Sequence, residues 1–183
     1  MSKRFGPIVQ QGYVVPDIDA AMRHWIARGI GPFFIEHLRG MDARVDGVHA
    51  KTELKAAFAY SGDQQIEVIQ PLGEAPTIYS EYLSAHPEGG LQHLAFWCDD
   101  VAAKVAELEA SGGFRLRQAY GDAHAYLDSK EQPGVMIQLM ARTPGMEGLF
   151  AIIRAAADGW DGVSDPVRRI DWSSGAPVIR SAP

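Results

Sequence analysis

The feature that most constrains this chain is an internal repeat. Gln10 and His93, Asp17 and Asp100, Met22 and Val105, and Gly29 and Gly112 all stand 83 positions apart. At each place the same local grammar is written. An apolar strand (Gly12 to Val15; Leu94 to Cys98) runs into an aspartate suited to capping free helix N–H groups. Residues at helical spacing follow: Ile18, Met22, Trp25 and Ile26, then Val101, Val105 and Leu108. A glycine then offers the left-handed backbone on which helices end. A strand, a cap, a helix face and a stop in one register point to a duplicated unit.

Three strand-like segments follow each helix, at about 33–38, 51–60 and 64–70, then 115–119, 123–128 and 135–140. Each half therefore reads βαβββ. The expected fold is α+β: two tandem modules, 8–75 and 90–142, forming one cup-shaped mixed sheet within a single domain over 1–142. The stretch from Gly40 to Gly47 is polar and reads as a loop. Gly- and Pro-rich turns are expected at 71–76, 86–90 and 132–134. The segment 143–183 is an extension. Leu149, Ile152, Ile153, Ala156 and Trp160 share a helix face starting near Glu147, and the chain beyond Gly159 reads as irregular. A lid over the site and a dimer interface are both open roles for it.

Composition narrows the partners. The net charge of −6 lacks the basic face that nucleic acid requires. No window approaches the roughly 18 continuous apolar residues of a membrane span, and the first residues hold no apolar signal region. The lone cysteine, Cys98, cannot form an intrachain disulfide, which fits a cytoplasmic protein.

Strand alternation locates a candidate site. Gln10, Glu67, His93 and Gln138 are each the polar member of a mostly apolar strand, on the face opposite the helices. A polar group on an interior face is costly unless it is paired, wet or bound to a metal. Singly, each has a plain reading as a satisfied or solvent-facing strand residue. Together, on matched strands of a repeat, they imply one shared cavity. Val14, Ile69, Trp97, Met136 and Met140 are its expected apolar wall, with Tyr126 and His124 on a neighbouring strand as further candidates.

The segments QQGYVVPDIDAAMRHW, QQIEVIQPLG, GGLQHLAFWCDDVAAKVAEL and GVMIQLM resemble the vicinal-oxygen-chelate superfamily of glyoxalase I, methylmalonyl-CoA epimerase, extradiol dioxygenases and bleomycin-resistance proteins. The look is nearest the epimerase and glyoxalase I branches. The resemblance implies a divalent metal (Zn, Ni, Co, Mn or Mg) held by Gln10, Glu67, His93 and Gln138. It also implies a homodimer and proton transfer next to a carbonyl on a small or acyl-thioester substrate. Such an enzyme would be a lyase or isomerase with Glu67 as its base. Gln138 departs from the usual carboxylate. An amide cannot move protons and is a weaker ligand for hard ions. The alternative is a binding protein that sequesters an apolar molecule without turning it over. Extradiol chemistry is disfavoured, because its iron site needs two histidines.

Overall fold

A computed structural model describes residues 4–130, 134–173, 175 and 177–181. The chain runs β1 (Gln10–Val14), α1 (Ile18–Ile26), β2 (Phe33–Val45), β3 (Val48–Ser61) and β4 (Gln64–Leu72), then α2 (Ile78–Ala85). The second unit is β5 (Gly90–Cys98), α3 (Val101–Ala110), β6 (Phe114–Tyr120), β7 (His124–Ser129) and β8 (Met136–Ala141). The extension forms α4 (Pro144–Asp158), β9 (Val167–Asp171) and β10 (Val178–Ser181). The two βαβββ units are thus present as expected.

The helix signals act as their chemistry dictates. Asp17 accepts from the Ala20 N–H at the head of α1, and Asp100 from the Ala103 N–H at the head of α3. Gly29 and Gly112 follow the two helices at φ 77° and 78°, the left-handed region that glycine enters without steric cost. The apolar stripes face the sheet. Ile18 and Met22 pack on Ala57, Ala59 and Val68, and Val101 and Leu108 on Ala125, Leu127 and Leu139. Each large apolar side chain so buried contributes about 1.5–3 kcal/mol.

The strands form one sheet in the order β10-β9-β2-β3-β4-β1-β5-β8-β7-β6, with β2 also pairing β6. The pairs Arg44–Ala119 and Val45–Gln118 close the inner eight strands into a ring. The seam between the two modules is β1 against β5, antiparallel and within this chain.

Several expectations change. The stretch 40–47 is not a loop. β2 continues to Val45, and only Asp46 and Gly47, both with positive φ, make the turn into β3. Its polar side chains reflect a hairpin arm exposed along much of its length, not missing structure. The extension is not irregular beyond Gly159, because β9 pairs parallel with β2 at Phe33–Val167 and β10 pairs with β9. Helix α4 begins at Pro144 rather than near Glu147. Thr143 caps it by accepting from the Met146 N–H, and proline suits its first turn. Helix α2 is an addition to the expected elements; Thr77 and Ser80 start it with reciprocal capping bonds. Of the expected 132–134 turn, residues 132 and 133 lie outside the described residues.

Candidate functional site

The ring encloses a cavity of about 460 Å³. The residues that border it come from both modules, from α2 through Tyr79, and from the extension through Met146, Leu149, Phe150 and Trp172. The extension therefore contributes to the cavity itself, in keeping with a cover over the site.

At the module seam, Gly12 of β1 pairs with Glu67 of β4 on one side and His93 of β5 on the other. Lacking a side chain, Gly12 leaves room for the imidazole to lie across β1. A Cβ built there would fall 1.9 Å from His93 Cε1, inside the space of the ring. His93 is fully buried, and its Nε2 reaches Glu67 Oε2 at 3.1 Å. Its Nδ1 lies 2.7 Å from Gln92 Oε1. An amide oxygen only accepts, so Nδ1 carries a proton and donates it to Gln92. Nε2 is then left to share a proton with Glu67, or to bind a metal.

The two glutamines complete the set. Gln10 Nε2 donates to Gln65 Oε1 at 2.8 Å, and Gln138 Nε2 donates to the Tyr126 hydroxyl at 2.8 Å. Their own amide oxygens are buried with no hydrogen-bond partner among the described residues. An unsatisfied buried acceptor costs roughly 1–3 kcal/mol, so both oxygens are ready for a ligand. The four residues thus offer one carboxylate, one imidazole nitrogen and two free amide oxygens, a set that fits a divalent ion. Among the described residues no three His, Cys, Asp or Glu side chains gather as a metal-holding group. Any ion here would depend on the amides.

Of the expected wall, Ile69, Tyr126 and Met140 border the cavity, with His124 beside them. Val14, Trp97 and Met136 do not. Val14 is buried in the interior packing nearer α2. Trp97 stacks on Phe150 with ring centroids 5.0 Å apart. Met136 takes a hydrogen bond from Gln92 at 3.3 Å and borders a separate cleft near α2. Alternation assigns the face of a strand correctly but not the height along it.

The sequence reading missed Glu36, the second carboxylate bordering the cavity. It has the same parity on β2 as Phe34 and Leu38, so the criterion that selected Glu67 could have found it. Burial pushes its carboxyl up from the ordinary 4.5 to about 7; the hydrogen bond from Trp172 opposes this and the charge of Glu67 adds to it. Trp172 Nε1 donates to Glu36 Oε2 at 2.6 Å, and no cation pairs with Glu36 among the described residues. Burial lowers the His124 pKa, holding the ring neutral at physiological pH. It raises the Tyr79 and Tyr126 phenols well above the usual range, and raises Tyr120 as well. These hydroxyls remain protonated donors.

The ring of strands and the matched modules have a counterpart among known proteins. The sequence model of the Glyoxalase/Bleomycin resistance protein/Dioxygenase superfamily matches residues 9–129. The chain belongs to this superfamily. No curated protein sequence matches it. Among solved structures it is similar to methylmalonyl-CoA epimerase from Mycobacterium tuberculosis, at 18% identity and a TM-score of 0.56, over 81% of this chain and 96% of that one. A Streptomyces coelicolor methylmalonyl-CoA epimerase in complex with 2-nitronate-propionyl-CoA gives 20% and 0.55, over 76% and 99%. A 4-hydroxymandelate synthase from Streptomyces coelicolor gives 15% and 0.50, over 75% and 49%. At these identities the likeness is one of fold.

Proposed function

We propose that this superfamily member is an enzyme that moves a proton at the carbon next to a carbonyl, an isomerase or epimerase by reaction type. The observation that carries the reading is Glu67, which borders a largely apolar cavity together with a second carboxylate, Glu36, and is backed by His93, itself fully buried and outside the cavity lining. A binder of apolar molecules has no need to bury three such groups, each of which costs free energy to desolvate.

In the proposed step a carboxylate takes the proton as the C–H bond breaks, and the electron pair passes into an enolate. The protonated phenols that border the cavity, Tyr79, Tyr120 and Tyr126, donate hydrogen bonds to the enolate oxygen as charge develops. Return of a proton from Glu67 or Glu36 completes the exchange. The Gln92 amide, by holding Nδ1–H, keeps Nε2 of His93 turned to Glu67. A divalent ion on Glu67, His93, Gln10 and Gln138 would add Lewis-acid polarisation of the carbonyl. The epimerase neighbours make acyl thioesters the first substrates to try. The reading includes a cytoplasmic setting and a homodimer, supported by lone Cys98 and by the family resemblance respectively.

The test is deuterium incorporation next to the carbonyl of methylmalonyl-CoA, propionyl-CoA and hemithioacetals in D₂O, with and without added divalent ions. Exchange that falls roughly 10²–10⁴-fold in Glu67→Gln supports the reading. Tight binding of such compounds without any exchange would establish the sequestering alternative instead.

A further inference from the structure

The ring of strands is incomplete at one place. On its outer edge β2 pairs with β9 only at Phe33, Phe34 and Ile35, and with β6 only at Arg44 and Val45. From Glu36 to Ala43 that edge pairs with no strand among the described residues. The gap is a slot in the barrel wall. Glu36, Leu38, Met41 and Trp172 border both the inner cavity and a larger outer groove of about 1160 Å³. The two spaces therefore abut at this edge, with these four side chains between them.

The outer groove has a distinct charge. Arg23, Arg39, Lys55, Arg169 and Arg180 border it, against Asp19, Glu36 and Asp171. Arg180 is paired with Asp171 and Arg39 with Glu53. Arg23, Lys55 and Arg169 make no ion pair among the described residues. A chain of net charge −6 thus gathers unpaired cations beside this unpaired stretch of β2. Such a field attracts anions and raises their local concentration. The cations come from α1, β3 and the extension, so neither the modules nor the extension alone builds the groove.

We propose that the slot along β2 is the ligand's entrance, and that the ligand is amphipathic. Its phosphate-bearing tail lies on Arg23, Lys55 and Arg169, while its apolar carbonyl end reaches the inner cavity past Trp172. This names a substrate class for the proton-transfer reading and rests on it for the carbonyl end only.

The experiment measures calorimetric binding of octyl phosphate, octanol and adenosine diphosphate to the full chain and to a Lys55→Ala, Arg169→Ala double variant. The indole N–H signal of Trp172, assigned with Trp172→Phe, reports on the junction. Octyl phosphate should bind roughly tenfold or more tightly than octanol. That advantage should vanish in the double variant and in about 1 M salt, where the screening length is about 3 Å. The Trp172 signal should shift on binding. Comparable gain from adenosine diphosphate identifies a nucleotide handle; gain from octyl phosphate alone identifies a simple chain phosphate. Equal binding of octyl phosphate and octanol, or an unchanged phosphate advantage in the double variant, overturns the proposal. Matching thermal unfolding curves show that the variant is folded. If deuterium exchange fails while the phosphate advantage stands, the entrance survives and the proton-transfer reading does not; the reverse result separates them the other way.

Discussion

The two modules share a βαβββ plan and differ in what they do with it. In the first, β2 and β3 are 13 and 14 residues long; in the second, β6 and β7 are 7 and 6. The longer hairpin crosses to the second module and closes the ring, and its turn is pinned there. Arg117 of β6 bonds Asp46 at 2.9 Å, Glu81 at 2.6 Å and Asp128 at 2.7 Å. The chemistry is divided as well. The first module supplies the carboxylates Glu36 and Glu67, and the second supplies His93, Gln138 and Tyr126. The repeat builds the frame, and the residues that differ between its two halves make it a site.

The largest expected effect comes from breaking the seam where the halves meet. Gly12→Ala would drive a methyl into the space of the His93 ring. Proton exchange should fall by roughly 10² or more, with a changed ¹⁵N spectrum of the imidazole. A variant with full activity and an undisturbed His93 signal would show that the dyad plays no part in exchange.

Next comes the carboxylate of the long hairpin. If Glu36 accepts the proton, exchange should rise with pH through an inflection near 7, and Glu36→Gln should lose that inflection. Stability runs the other way. A carboxyl raised from 4.5 to about 7 favours the fold while protonated. Its contribution is complete below the unfolded value and is lost as pH rises through about 7. The Tm of the native chain should therefore fall relative to Glu36→Gln between those limits. Parallel Tm curves across that range would rule out the raised carboxyl.

A smaller effect would sharpen the contrast at the second module. Gln138→Glu puts a carboxylate where an amide now gives Tyr126 a hydrogen bond. Affinity for Mn or Ni should rise roughly tenfold, read by titration calorimetry. No gain in affinity would argue that these four positions do not converge on an ion. The smallest effect is expected at the hairpin turn. Asp46→Asn keeps a residue that tolerates the φ of 47° but removes one of the three carboxylate charges paired with Arg117. The cost should be about 0.2–1 kcal/mol in denaturant unfolding. A larger loss would mean that ring closure depends on this one contact.

Much of the fold is legible in the sequence, for a physical reason. Caps, stops and periodicities are local, so Asp17, Gly29, Asp100 and Gly112 can be read directly, and the constant spacing between them exposes the duplication. Strand parity is also local, and it puts Gln10, Glu67 and Gln138 on the cavity side, with His93 beside Glu67. Other features depend on partners distant in the chain. Arg44 and Val45 pair locally with His49 and Val48 but close the ring only because β6 lies opposite them, and Val167 to Arg169 are strand residues because β2 does. Trp97 has the right face yet packs on Phe150, a contact between α4 and β5 that no alternation encodes. Glu36 becomes a cavity carboxyl with a raised pKa only when distant segments bury it on folding; Trp172, 136 residues away, adds a hydrogen bond that opposes the rise. Local patterning is enough to specify the modules and the polar face they turn inward. How high along each strand the cavity lies, which carboxyl is left without a cation, and where the ring stays open are settled only on folding. Those properties arise from packing and desolvation between segments that are far apart in the chain.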